Sequence, residues 1–236
     1  MSRSLVSAFV LALSISSLLA CSEGEEGTEG GSGGTPPIVG SGGGGGDDAV
    51  GGAAGGSQLP EGVKCQPRVG ACAYMDCAVP NAGANHVAAC AEVSYATNPP
   101  TSGTHYDRWA DFRVYDEPVP WGFLVHSLEH SAVILAYNCE RAADVGIDCD
   151  ELSAALADFR ENWPEDPLCF DTRNRIVVVP DPALDAPFAA VAWEHYMKGD
   201  CFDPELVSDF IDAHYGKTYE NICNPGVDPS TYACAQ

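Results

Sequence analysis

Two histidines four residues apart enclose a glutamate in the stretch His126-Ser127-Leu128-Glu129-His130. Imidazole ligates metals and exchanges protons near neutral pH, and a neighbouring carboxylate adds an oxygen ligand or a general base. Positions i and i+4 share a face on a helix, and on a strand too, because four is even. His126 and His130 can therefore converge in either local structure. Glu129 neighbours them on a helix and faces away on a strand. His105 stands upstream, just after the turn-rich run Asn98-Pro99-Pro100-Thr101-Ser102-Gly103. The set His105, His126 and His130 suits a transition metal. Affinity rises through the divalent series to copper, so the expectation is copper before zinc. Met75 and Met197 are the thioethers that could serve cuprous copper, although core packing explains each of them as well. His-x-x-Glu-His is also the spacing of inverted zinc peptidases, in which Glu129 would be the catalytic base and Glu194 could be a third ligand. That motif needs a sustained helix, and here a β-like apolar run follows at once. The competing reading is a non-catalytic module for a protein partner in the cell envelope, its histidines tying a loop to a sheet and Glu129 pairing with Arg108 or Arg113. His86, His195 and His214 have no partners at telling spacings and read as surface or packing residues.

The elements that must position these groups are legible in part. Ala132–Tyr137 is a continuous apolar run and predicts a buried strand, with His130 near its entrance; Arg175–Val179 predicts a second, stopped by Pro180. Asp150 can cap a helix whose face carries Leu152, Leu156 and Phe159. Ala186–Met197 reads as a helix with Pro187 in its first turn. Asp203-Pro204-Glu205 opens another, with Leu206, Phe210 and Ile211 as its stripe and Gly216 as its stop. Residues 98–121 read as a long ordered loop, and the stretch up to Tyr95 as loops and short strands held by bridges. These elements define an α+β (or small α/β) fold, a single domain with a small sheet and about three helices.

The chain of 236 residues opens with Arg3 and an apolar run from Leu5 to Ala20, too short for a membrane span and laid out as a secretory signal, residues 1–20. Residues 21–60 hold 16 of the 25 glycines and several acidic side chains, a composition that cannot bury enough surface to offset ordering entropy. They read as a flexible tether reaching roughly 30–40 Å. The run Gly42–Gly46 lacks the Lys-Ser/Thr of a phosphate loop. Residues 61–236 are the globular part. They hold ten of the chain's 11 cysteines, all but Cys21: Cys65, Cys72, Cys77, Cys90, Cys139, Cys149, Cys169, Cys201, Cys223 and Cys234. An even number behind an export signal predicts disulfides, with Cys139–Cys149 and Cys223–Cys234 as sensible local pairs. The spacing of Cys72 and Cys77 is not that of a zinc Cys-x-x-Cys. A net charge of −23 argues against nucleic acid and against adsorption to anionic lipid.

Two resemblances add to this reading. Leu18-Leu19-Ala20-Cys21 resembles the lipobox of bacterial lipoproteins. The resemblance implies lipidation at Cys21 after removal of residues 1–20, attachment to the membrane by that anchor, and, with Ser22 rather than aspartate following, the outer membrane as destination. Asn98–Tyr106, Val114-Tyr115-Asp116 and Leu124–His130 together resemble the bacterial family known as domain of unknown function 3105. Arg175–Asp185, Ala192-Trp193, Phe210-Ile211-Asp212 and Tyr215-Gly216-Lys217 are similar to its C-terminal half, so the similarity spans about 93–217. It implies an exported or membrane-anchored domain with its site at His105, His126, Glu129 and His130, and it names no reaction. Ser131 stands where that family usually has glycine.

Overall fold

Apolar alternation that fails to appear in Val133–Tyr137 has a direct cause in the fold: this strand, β5, is covered on both faces. The computed structural model describes residues 59–234. The expected signal peptide, Cys21 and the tether up to residue 58 lie outside them. The described chain runs β1 (Lys64–Val69), β2 (Ala73–Ala78), β3 (His86–Val87), β4 (His105–Tyr106), α1 (Trp121–Glu129), β5, α2 (Cys139–Asp144), α3 (Cys149–Asn162), β6 (Ile176–Pro180), β7 (Phe188–Ala192), β8 (His195–Gly199) and α4 (Pro204–His214). Six strands form one sheet in the order β1-β2-β8-β7-β5-β6, antiparallel except for the β5–β6 pair, and β3 and β4 form a separate parallel pair. Phe123, Leu124, Val125 and Leu128 of α1 pack on one face of the sheet, against Ile134, Val177 and Val191. Leu152 and Leu156 of α3 and Val207, Phe210 and Ile211 of α4 pack on the other. The fold is α+β and is stapled by disulfides.

Local signals account for the helix starts. Asp148 accepts from the Glu151 N–H at 3.0 Å, so α3 begins two residues before the expected Asp150 cap. Asp203 accepts from Glu205 and Leu206, with Pro204 in the first turn of α4. One segment differs from expectation and one open choice is resolved. Ala186–Met197 is a hairpin rather than a helix. Its alanines favour a helix locally, yet Ala189, Ala190 and Ala192 are buried between β5 and β8, and this packing overrides propensity. For His126 to Glu129, where the spacing leaves helix and strand both open, the structure gives the end of a helix, with His130 just ahead of β5 as expected. Trp121–Glu129 shows little amphipathic contrast, because every residue from Gly122 to Glu129 is buried.

All ten described cysteines are paired: Cys65–Cys77, Cys72–Cys201, Cys90–Cys234, Cys139–Cys149 and Cys169–Cys223. Cys139–Cys149 is the local pair expected. Cys223 and Cys234 do not join each other, since the strap containing Cys223 lies against the 166–173 loop and the C-terminal segment lies against Cys90.

A buried ion pair locks the start of β6. The Arg175 guanidinium lies 2.7 Å from Asp166, donates to the His130 carbonyl at 3.1 Å and to Asn221, and sits over the Tyr215 ring. Burial alone would raise the Asp166 pKa, but hydrogen bonds from the Leu168 N–H and the Tyr215 hydroxyl, with the Arg175 charge, hold it below the usual carboxylate range. Its contribution to stability is therefore complete at neutral pH and is lost as acid brings the pH down through that lowered value. Arg175→Ala strands a buried carboxylate, and the expected loss in urea unfolding at pH 7 is about 3–5 kcal/mol. A loss of less than about 1 kcal/mol would mark the pair as no stronger than a surface one.

Candidate metal centre

Parallel pairing sets His86 of β3 directly beside His105 of β4. In-register neighbours point to the same side of a ribbon, and the two imidazoles meet edge to face with centroids 4.6 Å apart. Gly103, two residues before His105, has φ +119°, a conformation suited to glycine. One turn of α1 supplies the remaining groups. His126 and Glu129 are three residues apart at its C-terminus, where the partial negative charge of the helix favours a cation.

The nitrogens converge on one oxygen. Glu129 Oε2 lies 2.9 Å from His105 Nε2, 3.4 Å from His86 Nε2 and 3.9 Å from His126 Nε2. One donor atom from each of the four residues falls within 4.8 Å of all the others. Zinc bonds of about 2.0–2.2 Å place tetrahedral ligand atoms roughly 3.3–3.6 Å apart, so the cluster needs only small shifts to close on an ion. His105, His126 and Glu129 are buried, whereas the His86 side chain is 46 % exposed.

Hydrogen bonds away from the centre determine which atoms face it. His105 Nδ1 donates to the Gly103 carbonyl at 2.8 Å, and His126 Nδ1 donates to the Tyr106 carbonyl at 2.6 Å. A ring nitrogen whose partner is a carbonyl oxygen must carry the hydrogen, which directs the Nε2 lone pair inward. At 2.9 Å a bare Nε2 and a carboxylate oxygen repel each other unless a proton or a metal ion lies between them. Glu129 Oε1 accepts from the Tyr219 hydroxyl, so the carboxylate presents a single oxygen to the site. Burial would raise the Glu129 pKa; the Tyr219 hydrogen bond, with the His105 and His126 rings beside the carboxylate, holds it below the usual range. Burial, with the Glu129 carboxylate beside it, pushes the Tyr219 phenol up, so it stays a donor. Burial pushes His126 down to about 4 against the pull of the Tyr106 carbonyl, leaving a neutral imidazole at pH 7.

Tyr219 is held by the strap that follows α4. The Thr218 hydroxyl donates to the Glu129 carbonyl at 2.6 Å, and the Thr218 N–H donates to Ser131 Oγ at 3.1 Å. Ser131 adopts φ +68° at the end of α1, the left-handed conformation that glycine takes most easily. Its hydroxyl bonds to Thr218 and Glu220 anchor that strained turn.

The expected trio is thus brought together only in part. His105 and His126 converge; His130 does not join them. Its Nε2 turns to Glu220 at 3.2 Å, its ring rests on Trp109, and its Nδ1 is buried without a partner. The cause is helical phase. Positions 126 and 129 face β3–β4, whereas His130 already caps the helix. His86, read from spacing as a surface or packing residue, takes the place expected of His130. Its partnership with His105 comes from a two-residue strand pairing that leaves no periodic trace in the sequence. Glu129 lies among the candidate ligands with both oxygens engaged, which differs from the free base a hydrolase would need. Glu194 bonds to Asn81, and Arg113 pairs with Asp228 rather than Glu129. Met75 is largely exposed and Met197 is in the core, so no thioether among the described residues belongs to the cluster. His195 and His214 stack on each other at 4.1 Å, outside the four-residue group.

A disulfide-stapled α+β domain bearing a His₃Glu cluster able to hold a metal ion is the class that fold and site define. The chain belongs to the family described as "Protein of unknown function (DUF3105)", whose profile matches residues 86–227 and so includes all four clustered residues. No curated protein and no solved structure matches the chain.

Two outcomes follow from this geometry. Tyr219→Phe frees Glu129 Oε1, and loss of such an outer partner weakens metal affinity by about 10–100-fold, measurable by zinc titration calorimetry. His126, His130 and His214 are each held down to about 4 by burial. Between the unfolded value of about 6.5 and the folded one, the unfolded chain takes up protons that the native protein refuses. The urea midpoint of chelator-treated protein should therefore be flat above about pH 7 and fall steadily from there towards pH 5, above the carboxylate range. A flat midpoint across that interval would show that these rings titrate alike in both states.

Proposed function

We propose that this is an exported, lipid-anchored envelope protein whose folded domain binds one divalent transition-metal ion through His86, His105, His126 and Glu129. The observation that carries the metal reading is the convergence of three imidazole Nε2 atoms on Glu129 Oε2, two of them with Nδ1 committed to main-chain carbonyls. Three neutral nitrogens and one carboxylate oxygen form a borderline donor set that suits cupric copper or zinc. Every described cysteine is in a disulfide, so no thiolate contributes, and the soft set expected of a cuprous site is not among these ligands. Copper precedes zinc on affinity alone. The anchor rests on Leu18-Leu19-Ala20-Cys21, and the five disulfides accord with an oxidising compartment.

Elemental analysis of the purified full chain, after dialysis against cupric or zinc ions, should find about one equivalent of tightly held metal. His105→Ala and Glu129→Gln should each reduce it to background, while His130→Ala should retain it. No stoichiometric metal in the wild type, or equal metal in wild type and His105→Ala, would overturn the reading.

A further inference from the structure

The four clustered side chains are not equivalent. His105 is held at both ring nitrogens, by Glu129 and the buried Gly103 carbonyl; His126 is held at Nδ1 by the buried Tyr106 carbonyl, with Nε2 facing the cluster; and Glu129 has Tyr219 on its second oxygen. Turning any of them out of the site breaks a buried hydrogen bond and strands its partner. His86 has no such tie. Its backbone is fixed by the His105 N–H to the Asn85 carbonyl and the Asp107 N–H to the Val87 carbonyl, at 2.9 and 2.8 Å. Its side chain touches the site through Nε2, and its Nδ1 makes no hydrogen bond among the described residues. It is also the exposed member, 46 % open to solvent, against 0 %, 6 % and 2 % for the side chains of His105, His126 and Glu129. Its ring leans on those of His105 and His126, at 4.6 and 4.7 Å between centroids, and so covers the cluster from the solvent side.

Rotation about the two side-chain bonds of His86 would swing its imidazole into water without opening the core. The other three ligands would stay in place, with one coordination position vacated and facing solvent.

We infer that His86 is the exchange ligand of this centre: an incoming nitrogen or carboxylate donor takes its coordination position, and the ion passes between the protein and a chelating acceptor through that opening. The inference rests on the metal-binding reading above and adds a direction of transfer to it. His105, His126 and Glu129 retain the ion during exchange, and the acceptor approaches on the His86 side. Transfer is stepwise: the His86 bond opens first, the acceptor takes the vacated position while His105, His126 and Glu129 still hold the ion, and the ion does not pass free into water.

The test uses the full chain loaded with about one equivalent of zinc and mixed with 4-(2-pyridylazo)resorcinol in increasing excess, the transfer being followed by absorbance. In the wild type the rate should rise with chelator concentration and level off at the rate at which His86 opens. In His86→Ala, which removes an exposed side chain, the three remaining ligands should still hold zinc, though less tightly, transfer should be about tenfold faster or more, and the plateau should vanish. Added imidazole should fill the vacated position and slow transfer back towards the wild-type rate; His86→Gln should behave like the alanine variant. A wild-type rate independent of chelator at all concentrations, a His86→Ala rate equal to wild type, or loss of all zinc on His86→Ala would overturn the inference and leave the metal site standing. Failure of the wild type itself to hold zinc would overturn the metal-binding reading, and this inference with it.

Discussion

Glu129 carries a carboxylate into a place that water scarcely reaches, at the negative end of a helix. An isolated charge there is costly, and the helix dipole adds to the cost rather than relieving it. The surroundings compensate from three directions. A phenol donates to one oxygen, three imidazoles converge on the other, and the Thr218 hydroxyl takes up the backbone carbonyl of the same residue. The electrostatic need is for positive charge between Oε2 and the nitrogens, and a divalent ion meets that need with the fewest rearrangements.

The remaining architecture keeps these groups from moving apart. Doubly buried β5 fixes the end of α1, because Ser131 turns the chain from the last helical residue into the strand within a few positions. Arg175 couples that corner to the strap, contacting the His130 carbonyl on one side and Asn221 on the other. The Cys169–Cys223 bridge holds the far end of the strap. Tyr219 is thereby set by contacts remote from the metal ligands, so substitutions well outside the cluster will be felt within it.

The sequence disclosed those parts of the site whose geometry is local. His126 and Glu129 needed only helical phase, and β5, β6 and α4 announced themselves by apolar runs or by the Asp203-Pro204 start. His86 was hidden because its place depends on a two-residue parallel pairing across an irregular loop, and such pairings have no period. The hairpin of β7 and β8 was hidden for the opposite reason: its alanines carry a strong local signal for a helix, which the sheet overrules. Ser131 stands between these cases. Its departure from glycine marked the corner as unusual, but the left-handed backbone and the hydroxyl contacts that hold it become visible only in three dimensions.

The ligands are drawn from segments between positions 86 and 129 that meet only when β3 has docked on β4 and α1 has packed beneath them. The segment bearing His86 is further tied to the chain's far end, through Cys90 and Cys234. A nascent chain therefore offers an ion scattered single histidines, whereas the oxidised, folded domain offers all four donors together. The cluster is thus a product of folding, and the Cys90–Cys234 bridge ties its assembly to oxidation of the chain as well.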